Sequence, residues 1–294
     1  MNRSQTALLG ALACLLGLAA LTLLVALRAY RSEMISLRPE RRTVSRPSVP
    51  ELAGLETVEL SGGEGAVRGW YQVSRNGAVV LLVHGLGGDR SELVPHASAL
   101  ARHGYGVLLV DLPGQGESAG HIVGGEPELR ALRAALDLAT ARAPADRLGA
   151  YGFSFGACVV LELAAREDRL RALALEGTSS DLERQLAYEH RKWGAPAIWG
   201  ARLALRHAGF ELRGYRPLEA VRRLAPRAVL LIAGAEDEVV PAAMSQSLYA
   251  AAGEPRELWL AAGAKHGDAV VREPEEYEHR LVGFFDRHLL AAGS

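Results

Sequence analysis

The stretch that decides the reading is Tyr151-Gly152-Phe153-Ser154-Phe155-Gly156-Ala157. A serine between two phenylalanines suits a β-strand, yet a glycine on either side spoils one, since glycine in a strand packs nothing and orders poorly. Those glycines do suit a tight turn in which side chains would collide with their neighbours. Upstream, RLGAYGF (147–153) reads as a short buried strand, and downstream ACVVLELAAR (157–166) reads as a helix. Ser154 therefore stands at a strand-to-helix turn, where the helix dipole favours developing negative charge.

Working outward, the same alternation runs along the chain from Leu55. LETVEL (55–60) and AVRGWYQV (66–73) form an opening antiparallel pair of strands. AVVLLVHG (78–85), YGVLLVD (105–111), ALALEG (172–177), RAVLLIAG (227–234) and RELWLAA (256–262) are further apolar runs. The continuous runs, such as AVVLLVHG, are those of strands buried on both faces. Helical patterns fall at about 91–103, 126–142, from Ser154 onward, and at about 274–290. This order predicts an α/β fold, a mostly parallel, doubly wound sheet with helices on both faces, over residues 55–290. Ligands in such sheets bind beyond the carboxyl ends of the strands.

A serine hydroxyl is a poor nucleophile until a base takes its proton. Of nine histidines, His266 in AAGAKHGD sits just beyond a strand's carboxyl end, whereas His279 and His288 fall on the last helix. His96, His103, His121, His190 and His207 have no strand-end placement. A base needs an acid to fix its tautomer. Asp237 in IAGAEDEVVP supplies one beyond a strand, and Glu176, ending the preceding strand, is the alternative.

These residues fall into a pattern that resembles the α/β-hydrolase fold. Gly152-Phe153-Ser154-Phe155-Gly156 resembles its nucleophile elbow, and the order Ser154, Asp237, His266 is that of its triads. Leu82-Val83-His84-Gly85-Leu86-Gly87-Gly88 resembles its oxyanion loop, and Asp111-Leu112-Pro113-Gly114-Gln115-Gly116-Glu117-Ser118 its turn after the fourth strand. Gly234-Ala235-Glu236-Asp237 with Val240-Pro241 resembles its acid loop, and His266-Gly267 its final histidine motif. Within the family the chain is most similar to membrane-anchored serine hydrolases of the Bem and monoacylglycerol-lipase type. Phe153, Phe155 and Gln115 depart from the usual residues at their positions. The resemblance implies a serine hydrolase cleaving an acyl ester, with Ser154 as nucleophile, His266 as base and Asp237 as orienting acid. The backbone N–H groups of Leu86 and Phe155 would form the oxyanion hole, and no metal or organic cofactor is needed. It also implies that His84 and Asp111 shape loops. Peptidase, thioesterase and perhydrolase chemistry use the same triad, and some members of the fold only bind. Epoxide hydrolase or dehalogenase chemistry would want aspartate at 154.

Residues 178–225 separate two strands by 48 residues and carry Trp193, Ile198 and Trp199 among arginines and histidines. The stretch reads as a helical cap whose underside, through those three residues, lines the substrate pocket, or as a plain crossover with an added helix. Cys158 reads as a small core residue.

Before the domain, residues 1–6 read as a short tail. Ala7–Leu27 is uncharged, with Thr22 its one polar side chain, and as a helix would span about 31 Å. That length suits a single-pass membrane anchor; a cleaved signal or a buried core helix are the alternatives. Residues 28–54 read as a juxtamembrane linker, with six arginines between 28 and 46 against Glu33 and Glu40. Positive charge behind the span places the hydrolase domain on the cytoplasmic side. A net charge of −1 leaves no basic footprint for nucleic acid, and the two cysteines form no disulfide framework or zinc motif. The expected partners are thus a small acyl ester or lipid-like substrate, and a membrane.

Overall fold

In the computed structural model, which describes residues 3–62 and 65–290, every one of the eight apolar runs forms a strand. They are β1 (Glu56–Ser61), β2 (Ala66–Gln72), β3 (Val79–Val83), β4 (Gly106–Val110), β5 (Leu148–Phe153), β6 (Ala172–Glu176), β7 (Ala228–Gly234) and β8 (Arg256–Ala261). Their order in the sheet is β1-β2-β4-β3-β5-β6-β7-β8. β2 runs antiparallel to both β1 and β4, and every later pair is parallel. The chain moves outward from β3 to β4 on one side and to β5 on the other. β3 and β5 therefore bound the point where the winding reverses, and a ligand crevice opens there.

Helices α1 (Arg3–Leu37), α2 (Val94–Arg102), α3 (Glu126–Thr140), α4 (Phe155–Ala164) and α5 (Leu182–Glu189) come first in the chain. They are followed by α6 (Gly194–Ala208), α7 (Pro217–Val221), α8 (Ala242–Ala251), α9 (Ala269–Arg272) and α10 (Pro274–Phe285). One face of the sheet packs against α3, α4, α7 and α8 through Leu132, Val159, Val221 and Leu248; the other packs against α2 and α10 through Leu100, Tyr277 and Phe284. The β3 sequence VVLLV is buried on both faces, which explains its unbroken apolar run. Residues 178–225 hold α5, α6 and α7, so the insertion is helical.

The N-terminal helix departs from expectation. It is 35 residues long, so residues 3–6 are helical rather than tail; residues 1–2 lie outside the described residues. Residues 28–37, expected as linker, continue it, because arginine, glutamate and leucine are good helix formers and Pro39 is the first breaker. Its first part is bare, and it is long and apolar enough to cross a membrane. Its last part is seated on the domain. Leu37 enters the core below the sheet's carboxyl edge, and Ala26 and Ala29 are buried against α6. There Gly200 lies so close that a Cβ would come within 2.0 Å of the Ala26 carbonyl oxygen. Small residues let two helix backbones approach in this way. Tyr30 hydrogen-bonds His207, and Glu33 pairs with His190 at 2.9 Å.

The Glu33 hydrogen bond raises the pKa of His190 despite partial burial. A raised histidine contributes stability that is complete below its unfolded value of about 6.5 and fades as pH rises through the folded value. His190→Gln should therefore lower the melting temperature at pH 6 and much less at pH 9. A melting-temperature gap between wild type and variant that is constant across this range would contradict the assignment.

Candidate active site

Ser154 has φ +52° and ψ −118°, and among the described residues it is the one non-glycine with positive φ. Such a backbone costs about 1–3 kcal/mol and persists only where its surroundings enforce it. Here the Ser154 N–H donates to the Glu176 carbonyl at 2.8 Å, while the first turn of α4 presses against β3. A Cβ on Gly156 would meet the His84 carbonyl oxygen at 2.3 Å, and one on Gly152 would meet Ala157 Cα at 2.5 Å. The glycines that spoil a strand are thus what lets the elbow close.

His266 lies in the loop after β8 and Asp237 in the loop after β7. His266 Nε2 is 3.0 Å from Ser154 Oγ, and its Nδ1 is 2.7 Å from Asp237 Oδ2. The other carboxylate oxygen of Asp237 accepts the N–H groups of Val239 and Val240, each at 2.8 Å. The acid is thereby fixed on both oxygens, and its side chain is only 1% exposed. A carboxylate against Nδ1 holds that nitrogen protonated and leaves Nε2 free toward the serine.

The two phenylalanines have separate duties. Phe153 lies 4.9 Å from the His266 ring, centre to centre, and Gly267 and Gly177 leave space for the two rings. Phe155 points the other way and packs on Phe210 and Tyr215 of the insertion. One braces the base, and the other pins the insertion over the elbow.

The Leu86 and Phe155 N–H groups donate to no protein acceptor among the described residues. Leu86 belongs to a loop held by its neighbours: Gly87 N–H donates to Gln115 Oε1 at 2.6 Å. Gln115 is in turn fixed by the turn after β4, where Asp111 accepts the N–H groups of Arg90 and Glu117 and binds the Arg90 guanidinium. Arg90, 1% exposed, also contacts Glu117 and lies 4.5 Å over the Trp70 ring. His84 Nδ1 donates to the Gly85 carbonyl and its Nε2 accepts the Leu112 N–H, while burial lowers its pKa and keeps it neutral. His84 and Asp111 are loop residues here, as expected.

Glu176, the alternative acid, faces the opposite side of the sheet. It accepts from Tyr151 and Tyr277 at 2.7 and 2.6 Å, and burial raises both phenols so that they stay protonated donors. Cys158 is fully buried, its thiol pushed up to about 12, and is inert core.

A cavity of about 700 Å³ opens beside Ser154. Leu86, Phe155, Leu186, Leu205 and Phe210 supply apolar wall, and Glu33, Glu92, Glu189 and Glu238 supply acidic wall. Trp193 lines it as expected; Ile198 and Trp199 do not. They sit on α6 whereas Trp193 precedes that helix, and Trp199 faces α1 instead. The sequence reading missed Ser32, Glu33 and Ser36, which bring α1 into the same wall. Their signal, a polar face at spacing three and four within a helix-forming stretch, was hidden by treating residues 28–54 as linker.

An eight-stranded, mostly parallel sheet with a serine elbow and a cap places the molecule in the α/β-hydrolase class. A profile of the alpha/beta hydrolase fold matches residues 78–204. An uncharacterised Mycobacterium tuberculosis protein, Rv2307c, is 32% identical over 274 residues, covering 88% of this chain and 90% of the relative. The uncharacterised YfhR of Escherichia coli K12 is 27% identical over 252 residues, covering 80% and 82%. Among solved structures, the Pyrococcus furiosus esterase Pf2001 superposes with a TM-score of 0.73 at 20% identity, covering 86% of this chain and 98% of the other. The hypothetical protein PA2218 of Pseudomonas aeruginosa gives 0.66 at 18% identity, covering 85% and 99%. The chain belongs to the α/β-hydrolase fold family.

Removing Asp111 would leave the buried Arg90 with Glu117 as its remaining carboxylate, and breaking a buried pair costs about 3–5 kcal/mol. Asp111→Ala should lower unfolding stability by that amount in urea titration, whereas Lys192→Ala, which breaks an exposed pair with Glu238, should change it by less than about 1 kcal/mol. Equal, small losses in both variants would contradict the role given to the Arg90–Asp111 pair.

Proposed function

We propose that the protein is a serine hydrolase that cleaves an acyl ester through Ser154, His266 and Asp237. The observation that carries this is the unbroken contact from Ser154 Oγ through the imidazole to a carboxylate fixed on both oxygens. Ser154 Oγ attacks the acyl carbonyl carbon as His266 Nε2 takes its proton, and the imidazolium formed is stabilised by Asp237. Negative charge gathers on the carbonyl oxygen, where the Leu86 and Phe155 N–H groups and the α4 N-terminus can meet it. The imidazolium then protonates the leaving alcohol, and water, activated by the same histidine, releases the acid and frees the serine.

The apolar wall suits an acyl chain better than a charged peptide, which favours ester over peptidase chemistry. The esterase Pf2001, similar in fold, agrees with this preference. α1 is read as a retained single-pass anchor, since its last turns are built into the domain and removal at a signal cleavage site would expose Leu37 and the α6 face. The subgroup reading, anchored hydrolases of the Bem and monoacylglycerol-lipase type, rests on the same features. The hydrolase domain is assigned to the cytoplasmic side from the arginines after the span. A periplasm-active reporter fused to the C-terminus should therefore be silent, and strong reporter activity would reverse the orientation.

Ser154→Ala should abolish labelling by a fluorophosphonate probe and lower kcat for p-nitrophenyl esters by about 10⁴–10⁶. His266→Ala should cost as much, the double variant scarcely more, and Asp237→Asn about 10⁴. Glu176→Gln should keep kcat within about tenfold in the folded fraction. A folded Ser154→Ala that retains esterase activity would remove the basis for this function.

A further inference from the structure

A groove of about 610 Å³ separates α1 from the start of α6, lined by Leu15, Leu18 and Ala26 on one side and by Ala195, Pro196 and Trp199 on the other. These α1 positions belong to the apolar span, whose surface is bare at Leu15 and Leu18 and covered by α6 at Ala26. At 1.5 Å per residue, Ala26 lies about 3 Å and Leu15 about 20 Å inside the span from Arg28. The Ala26 end of the groove, against which Gly200 of α6 packs, lies at the level of the headgroups and upper acyl chains. The exposed side chains of that element fit this level. On α6, Trp199 is 61% and Leu203 44% exposed with Arg202 and Arg206 exposed beside them, and Trp193, just before the helix, is 60% exposed. Exposed tryptophans with flanking arginines are the composition of a membrane interface, where indole rings sit among headgroups and guanidinium groups meet phosphates. In water, two exposed indoles and a leucine would leave apolar area uncovered.

The geometry points to one arrangement: the end of the cap that carries Trp193 at the cavity mouth and Trp199 and Leu203 on α6 lies in the interfacial layer of the bilayer that α1 spans. Trp193 also lines the cavity beside Ser154, so the cavity mouth opens at that layer. The substrate is then an amphiphile resident in the bilayer, its ester bond drawn sideways into the site. This rests on the anchor reading of α1 and on the hydrolase reading of the site, and it adds where the substrate comes from.

The test uses the full chain reconstituted in vesicles of dioleoyl phosphatidylcholine and phosphatidylglycerol, or of their brominated forms. The chain has four tryptophans, of which Trp70 and Trp259 are buried in the domain. Brominated lipid should quench about half of the total emission, because two of the four indoles face the interface. A Trp193→Phe/Trp199→Phe variant should lose most of that quenching, and each single variant part of it. Emission unchanged by bromine in a chain that resists alkaline carbonate extraction would overturn the cap placement and leave the anchor standing. A chain that carbonate extracts would overturn both. Quenching that survives in the double variant would also overturn it, since the signal would then come from elsewhere. The wild-type measurement needs no substitution, so a variant that misfolds does not blunt the test.

Discussion

The structure depends on how closely the first turn of α4 approaches the end of β3. Gly156 touches the carbonyl oxygens of Val83 and His84 with no room for a methyl group, and that contact forces Ser154 into a positive φ. From this one approach the rest of the site follows. The Ser154 N–H is tied to β6, its Oγ is lifted toward the loops after β7 and β8, and the Phe155 N–H is left without a protein acceptor among the described residues. A strained backbone of this kind is maintained by surrounding packing, here the two-sided burial of β3 and β5.

A second constraint joins the N-terminal helix to the domain. Ala26, Ala29, Gly200 and Ala201 are small where α1 meets α6, and the close fit makes the last turns of α1 a wall of the cavity rather than a tether. Glu33 and Ser36 stand in that wall together with residues of the cap. The N-terminal helix, the insertion and the crevice are therefore packed as one unit.

Much of this was legible in the sequence because the deciding features are local. Eight apolar runs matched eight strands, since a two-sided sheet demands unbroken hydrophobic stretches. Ser154, His266 and Asp237 could be picked out because each follows a strand, and strand ends converge in this topology. What could not be read was non-local. The seating of residues 28–37 on the domain depends on an insertion more than 150 residues away in sequence, through pairs such as Tyr30 with His207. The angle at which α6 presents Trp199 depends on its fit against Ala26, so nearness to Trp193 in sequence gave the wrong face. Helix α8 also escaped, because it follows a loop dominated by the Asp237 motif and carries only a weak apolar stripe.

The acidic side of the cavity carries a consequence for turnover. Glu33, Glu92, Glu189 and Glu238 stand in the wall; among the described residues Glu33 pairs with His190 and Glu238 with the exposed Lys192, and burial pushes Glu189 up to about 7. On the ester reading, the substrate enters neutral and leaves as a carboxylate anion. The carboxylates of that wall then oppose the anionic product more than the neutral substrate, so hydrolysis adds a repulsion that was absent before it. The change of charge made by the reaction thus favours release of the acid over its retention beside the serine.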